Sequence, residues 1–412
     1  MRIAACRRCH ALRFLETPNY QFTQTVYFGE RMKILFVATV PEHFFYFHTA
    51  CFEMLRERGF EVHAASSGTR GSEGRELAGC ELAGCELAGC ERHFTVPIVR
   101  SPFALRNVGA YRTLKRLIAE NGYDVIHCHT PMGGVMGRLA ARRARKNGAK
   151  VIYTAHGFHF YKGAPLLNWL LYFPIEYAMS FLTDELLTIN PEDRVRAEKR
   201  LKAKRVRYIH GVGYDTARFR AADGETRRRL REKYGYPPDA KLIIYVAELN
   251  KNKNQAMLIR AAEKLREQSV NARLLLVGPD SIGGEYQRMA GESGAAVDFL
   301  GVRGDVPELL SMCDVYAASS LREGLPVNVM EAMASGLPVV AADNRGHRAL
   351  IANGETGFLV RPNDADAMAG RIASLLNDRD LYERISENAA LAIEPFGREN
   401  VLHELAEIYF EG

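Results

Sequence analysis

Residues 314–343 read DVYAASSLREGLPVNVMEAMASGLPVVAAD, a strand, a loop, a helix and a second strand. The β-prone apolar run 315–318 meets a loop punctuated by Gly324 and Pro326, and a short helix then carries Met330 and Met333. Gly336 and Pro338 stop that helix before a second apolar run at 339–342. Glu323 in the loop and Glu331 in the helix are separated by seven residues, so one stands at the mouth of the turn and the other about a turn into the helix. Between them lie Gly324, Leu325, Pro326, Val327 and Asn328, at a helix N-terminus whose backbone N–H groups favour phosphate. An ionised carboxylate only accepts hydrogen bonds, so two of them suit hydroxyl-rich groups on either side of an anionic centre. A nucleotide-sugar is such a ligand. The spacing alone also occurs by chance on solvated helix faces, and it is the surrounding strands and loop that sharpen the reading.

Outward from this stretch the same alternation fills the chain. Apolar runs at 34–40, 62–65, 124–129 and 151–155 alternate with helices through Phe52 and Leu55, near 111–119 and at 135–145. The pattern restarts near Gly211, Val212 and Gly213, with runs at 242–247, 274–277 and 297–300 and helices at 254–266 and 306–312. Strands alternating with helices imply parallel, doubly wound sheets whose strand carboxyl ends line a crevice. The expected organisation is an N-terminal domain at 32–210, a second at 211–395, and a terminal helix within 396–412. Residues 1–31 show no period and precede the well-formed strand KILFVATV, so they are read as an extension without an assigned fold, and Met32 as a candidate start.

A chain of 412 residues supports about two domains. Residues 1–210 hold 31 Lys/Arg against 19 Asp/Glu, whereas 211–412 hold 24 against 30, so the overall +6 conceals a basic N-terminal half. Such a half can face an anionic membrane or nucleic acid, or be an ordinary basic surface. Arg138, Arg142, Arg143, Arg145, Lys146, Lys199, Arg200, Lys202, Lys204, Arg205 and Arg207 are its candidates for an anionic-lipid face. Residues 164–182 are the most apolar stretch, but Asn168, Pro174 and Glu176 interrupt a membrane span; a helix buried between sheet and surface is expected, with a shallow interfacial helix as the alternative.

Of the eight cysteines, Cys80, Cys85 and Cys90 belong to a threefold ELAGC repeat, read as a lengthened surface loop. Cys6 and Cys9 form a CxxC without a second pair, and nothing resembles a signal peptide, which points to a reducing cytoplasm.

His156 follows the run 151–155 and should project into the crevice. His127, His129 and His159 are neighbours that leave a zinc cluster open, although no carboxylate or cysteine pattern supports one. Gly278, Gly283 and Gly284 read as a βα turn before a phosphate loop, and the backbone at Val302, Asp305 and Val306 could read a base edge. Lys251 and Arg303 are candidate phosphate partners, beside the helix N-terminus at Val327 and Asn328.

The two glutamates resemble the E-x7-E signature of retaining glycosyltransferases of family 4, and the similarity runs from Met32 to the C-terminus. HTPMGGVMGRLAA at 129–141, YTAHGFHF at 153–160, ELNKNKNQ at 248–255 and NRGHRALI at 344–351 are most similar to bacterial enzymes that build exopolysaccharide or capsule units. The resemblance implies the GT-B fold, two Rossmann-like domains facing across a crevice, with the terminal helix crossing back onto the first. It implies that Glu323 and His156 contact the donor hexose, Glu331 the ribose, and Lys253 the diphosphate, with Glu323, His156 and Lys253 as the catalytic group. Glu248 stands where the family carries Arg, and an ion pair from Glu248 to Lys253 or Lys251 is expected.

No DxD pair sits where a magnesium–diphosphate site would need it, so no metal and no cofactor is expected. The reading is a hexosyl or N-acetylhexosaminyl transferase using a UDP-sugar and a lipid-linked saccharide acceptor, peripheral at the inner face of the membrane. A nucleotide-sugar epimerase of the same fold is the first alternative. A non-catalytic nucleic-acid-binding protein is the second, and no nucleic-acid motif supports it.

Overall fold

The computed structural model describes residues 31–68 and 88–411. Residues 1–30, with Cys6 and Cys9, and most of the ELAGC repeat lie outside them. Among the described residues the strands are β1 (Lys33–Val37), β2 (Glu61–Ser66), β3 (Arg92–Thr95), β4 (Val125–His129), β5 (Lys150–Ala155), β6 (Glu185–Thr188), β7 (Arg205–Tyr208), β8 (Lys241–Val246), β9 (Ala272–Val277), β10 (Val297–Gly301), β11 (Val315–Ala318), β12 (Val339–Ala342) and β13 (Phe358–Val360). They form a seven-stranded sheet ordered β3-β2-β1-β4-β5-β6-β7 and a six-stranded sheet ordered β10-β9-β8-β11-β12-β13. All the pairings are parallel.

Helices on both faces explain why β1, β8, β11 and β12 read as unbroken apolar runs rather than alternating ones. Ile34, Leu35, Phe36 and Val37 are all buried, the odd and even positions filling separate cores on opposite faces of the first sheet. The second sheet and its helices share a larger core that includes Tyr245, Tyr316, Met330 and Met333.

The terminal helix Arg398–Phe410 belongs to the first domain's core. Val401, Leu405, Ile408 and Tyr409 are buried against Phe36, Phe44 and Phe52, each contributing about 1.5–3 kcal/mol by burial. Tyr409 Oη lies 2.6 Å from His127 Nδ1, and Lys150 Nζ donates to Ile408 O (2.6 Å) and Glu411 O (2.9 Å).

The apolar stretch at 164–182 departs from the expectation of a buried helix. It forms the helix Leu166–Ser180, which packs on the helix Pro131–Lys146. Trp169, Tyr172 and Phe173 face inward, while Leu166, Leu167 and Leu170 are 74%, 62% and 65% exposed and the following Phe181 53%. A helix in a second layer has core on one side only. No helix among the described residues is long and apolar enough to cross a membrane.

The basic face is also thinner than its sequence suggests. Arg138 is buried, donates to both oxygens of Glu176 (2.5 and 3.1 Å) and lies over Tyr153. Arg145 and Lys204 pair with Asp184, and Arg205 and Arg207 with the buried Glu185.

Candidate active site

In both sheets the strand order reverses direction at one place, between β1 and β4 and between β8 and β11. Ligands of doubly wound sheets bind outside the strand carboxyl ends at that switch point. Here a cavity of about 720 Å³ lies between the two domains, lined from the first by His48, His129, Thr154 and His156 and from the second by Glu248, Val327, Asn328 and Glu331. The volume suits a small-molecule substrate.

The loop after β11 touches the first domain directly. A Cβ on Gly324 would stand 2.0 Å from His156 O, so only glycine allows the two backbones to approach this closely. Asn190 Nδ2 donates to Gly324 O (3.3 Å), and Arg345 Nε donates to Glu323 O (3.2 Å). Arg345 is buried, reaches Asp193 across the interface (Nη1 to Oδ1, 3.0 Å) and covers the ring of Tyr161 at 4.7 Å. Asp193 also accepts from Phe158 N and Arg196. Leu325 packs on the cores of both domains.

Lys253 Nζ and Glu323 Oε1 are 2.6 Å apart, an ion pair joining the loop after β8 to the loop after β11. Lys253 is set by Asn250 Oδ1, which accepts from its N–H (2.9 Å), and by Ser319 Oγ, which donates to its carbonyl (2.7 Å). The next residue, Asn254, has φ +55°, and Thr130, immediately after His129 in the other wall, has φ +59°. Left-handed backbone at non-glycine residues is strained, most of all at a β-branched one, and it collects at functional sites.

The expected ion pair from Glu248 to a lysine is not made. Glu248, in the same loop after β8, turns its Oε1 to accept from Ser281 Oγ, and Lys253 pairs with Glu323 of the loop after β11 instead. Arg303 forms a bidentate bridge to Asp305 (2.8 and 2.5 Å) and does not line the cavity. Lys251 is exposed in the turn before the helix Gln255–Glu267, Val302 is 57% exposed, and neither belongs to the cavity lining. Gly284 caps the helix Glu285–Ser293, its N–H donating to Asp280.

Glu331 stands in the cavity wall on the helix Val327–Ala334. Burial pushes its carboxyl up to about 7, against the opposing pull of Arg218 and Arg398. Asn328 Nδ2 donates to Val246 O (2.7 Å), tying the first turn of that helix to the end of β8. On the other wall burial drives the imidazoles down, His156 to about 4 and His48 to about 3, with His127 and His129 well below the usual value. His127 is held at both nitrogens, by Tyr409 and Thr154, and His159 stacks on Tyr172 outside the cavity. The structure therefore sets Glu331, Val327, Asn328 and His156 in the cavity wall, and it places the Lys253–Glu323 pair and Gly324 on the loops after β8 and β11, outside the lining.

Sequence reading passed over Arg345, Asp193, His43 and His48. Asn190-Pro191 followed by Asp193 carried a helix-start signal, since Asn190 Oδ1 accepts from Asp193 N (2.8 Å); the others carried none.

This arrangement of sheets, cleft and loop is that of the GT-B glycosyltransferases. Residues 50–245 match the family described as Glycosyltransferase Family 4, and residues 226–392 match Glycosyl transferases group 1. EpsD of Bacillus subtilis (strain 168), named as a glycosyltransferase, is 44% identical over 380 residues, spanning 92% of this chain and 96% of the relative. The UDP-Gal:alpha-D-GlcNAc-diphosphoundecaprenol alpha-1,3-galactosyltransferase of Escherichia coli is 27% identical over 299 residues, 70% of this chain and 76% of that one. Among solved structures, Anabaena Alr3699/HepE in complex with UDP and glucose superposes with a TM-score of 0.70 at 20% identity, covering 92% of this chain and 99% of that one. WaaG, a glycosyltransferase involved in lipopolysaccharide biosynthesis, superposes at 0.69 and 18%, covering 92% of this chain and all of that one. The chain belongs to glycosyltransferase family 4, and it is a glycosyl-transferring enzyme.

Proposed function

We propose that this enzyme moves a hexose or N-acetylhexosamine from a UDP-sugar onto a lipid-linked saccharide, with retention at the anomeric carbon, in building an exopolysaccharide or capsule. The observation that carries the reading is Glu331 and the helix N-terminus at Val327 and Asn328 in the wall of the cavity between the domains, with the Lys253–Glu323 ion pair on the adjoining loops. The named donor and diphospholipid acceptor of the Escherichia coli relative, and the UDP complex of Alr3699/HepE, support the ligand classes.

In this reading Glu331 takes the ribose hydroxyls, Glu323 and His156 the hexose, and Lys253 with the amides at Val327 and Asn328 the diphosphate. The acceptor oxygen bonds to the anomeric carbon on the face from which the diphosphate departs, and its proton passes to the departing phosphate oxygen. Lys253 stabilises the charge that grows there. No metal is assigned to the diphosphate.

The deciding experiment offers a panel of nucleotide-sugars with and without a diphospholipid-linked saccharide. Acceptor-dependent release of UDP, unchanged when magnesium or manganese is added, supports the reading. Interconversion of the free nucleotide-sugar without any acceptor would replace it with epimerisation.

Leu166, Leu167 and Leu170 are exposed on the helix Leu166–Ser180, and Arg200 lies over Trp169 of the same helix. This apolar strip with basic neighbours supports peripheral attachment at an anionic membrane. Co-sedimentation with anionic phospholipid vesicles should fall when Leu166 and Leu170 are replaced by Ser, and equal binding by that variant would remove the helix from membrane contact.

A further inference from the structure

We propose that His43, His48, His129 and His156 form a binding site for a divalent transition-metal ion, with zinc the first candidate. One nitrogen from each of the four lies within 4.8 Å of those of all the others. Two of the edges are already at ligand spacing: His43 Nε2 to His48 Nε2 is 3.2 Å, and His129 Nδ1 to His156 Nε2 is 3.2 Å. Zinc–imidazole bonds of about 2.0–2.1 Å put neighbouring tetrahedral ligands roughly 3.3–3.4 Å apart, so small ring rotations complete the set.

The four come from three places at one switch point. His43 lies on the short helix Glu42–Phe47 after β1, His48 joins it to the helix Thr49–Glu57, His129 ends β4 and His156 follows β5. An ion there would tie the first helices to two strand ends and fix the ring beside which the Gly324 loop rests. His48 and His129 are almost wholly buried, and the cluster meets the cavity through His48, His129 and His156.

Hydrogen bonding alone joins this group only as two separate pairs. Each neutral imidazole offers one donor and one acceptor, and each of the two short contacts consumes one donor and one acceptor. A metal takes a lone pair from every ring at once. The neighbouring His127 is different: Tyr409 and Thr154 use both its nitrogens, which leaves it out of the set. Four nitrogen ligands without carboxylate or thiolate suit zinc, copper, nickel or iron rather than magnesium or calcium.

A closed four-ligand shell is a structural site with no open position for substrate. The proposal is independent of the glycosyl-transfer reading. Where the two meet, at His156, Nε2 enters the cluster and Nδ1 is the atom left for a sugar hydroxyl.

The test uses the full chain, stripped with a strong chelator, dialysed, and titrated with zinc chloride alone. About one equivalent of zinc should survive gel filtration by elemental analysis, with a rise in Tm on binding. Cobalt(II) in its place should give the intense visible bands of tetrahedral coordination. His48→Gln and His129→Gln should each weaken zinc binding by about 100-fold or more, whereas His159→Gln, outside the cluster, keeps it. Wild-type protein holding less than about 0.1 equivalent with no shift in Tm would overturn the site, as would unchanged zinc content in both cluster variants. Should those variants fail to fold, the wild-type cobalt spectrum decides by itself, and its absence rejects the proposal.

Discussion

The two walls of the cleft start from the same strand order and the same switch point, yet they handle buried polar groups in opposite ways. In the first domain His48, His127, His129 and His156 are desolvated and stay neutral. In the second, Lys253 and Glu323 form an ion pair, and burial pushes the Glu331 carboxyl up to about 7. The first wall thus offers mainly neutral imidazoles, with Arg398 of the terminal helix as its charged group, whereas Glu248, Glu331, Asp215 and Arg218 line the second. Each wall carries one left-handed non-glycine residue next to its polar group, Thr130 beside His129 and Asn254 beside Lys253.

The sharpest way to break this contrast is to remove the charge of the second wall. Lys253→Ala should lower kcat about 10²- to 10³-fold with a smaller change in donor KM. Coupling belongs to Lys253 and Glu323, so a double-mutant cycle on that pair should be strongly non-additive, and Glu248→Ala, whose carboxylate holds Ser281, should be mild. Additive losses at Lys253 and Glu323 would mean the ion pair has no part in turnover.

Next in size is the contact that brings the walls together. Gly324→Ala puts a methyl where His156 O stands, and the domains must part to admit it. Displacement of about 1 Å at a reacting centre costs up to roughly 10²-fold, so kcat/KM should fall on that scale while Tm changes little. A normal rate in this variant, or a large drop in Tm, would show that the loop does not set the distance between the walls.

The smallest effect concerns Glu331 and depends on pH. Its carboxyl moves from an ordinary 4.5 to about 7 on folding. Folding therefore takes up a proton between those values, and the contribution to stability is present below 4.5 and lost as pH rises through 7. Glu331→Gln should raise stability at pH 8 by at most about 3 kcal/mol, with the gain shrinking towards pH 5, and should weaken donor binding at both. Thermal melts at the two pH values check the sign; a gain that grows on acidification would show that the wild-type carboxylate is stabilised, not desolvated.

Much of the frame was legible in the residues. The runs at 315–318 and 339–342 coincide with β11 and β12, because a strand covered on both faces must be apolar throughout. β6 and β7 were not legible. β6 begins with Glu185 and β7 reads RVRY, and these charges become tolerable only when Arg205 and Arg207 bridge Glu185 across the pair. β13 has three residues, too few to show a period.

At the site, Glu323 and Glu331 could be picked out through their strand–loop–helix setting and the resemblance of their spacing to the E-x7-E signature, and Lys253 through the resemblance of its segment. What local sequence could not supply was partnership. Lys253 finds Glu323 seventy positions away, Arg345 finds Asp193 across 152, and Tyr409 reaches His127 across 282. The histidines after β1 gained meaning only when the β1–β4–β5 order carried His129 and His156 to them. Periodicity and turn chemistry act over a few residues, so the sequence by itself determined the strands, the helices and the E-x7-E element. The pairing of charges, the closeness of the walls and the imidazole cluster depend on which strand ends lie side by side, and that was decided only when the sheets assembled.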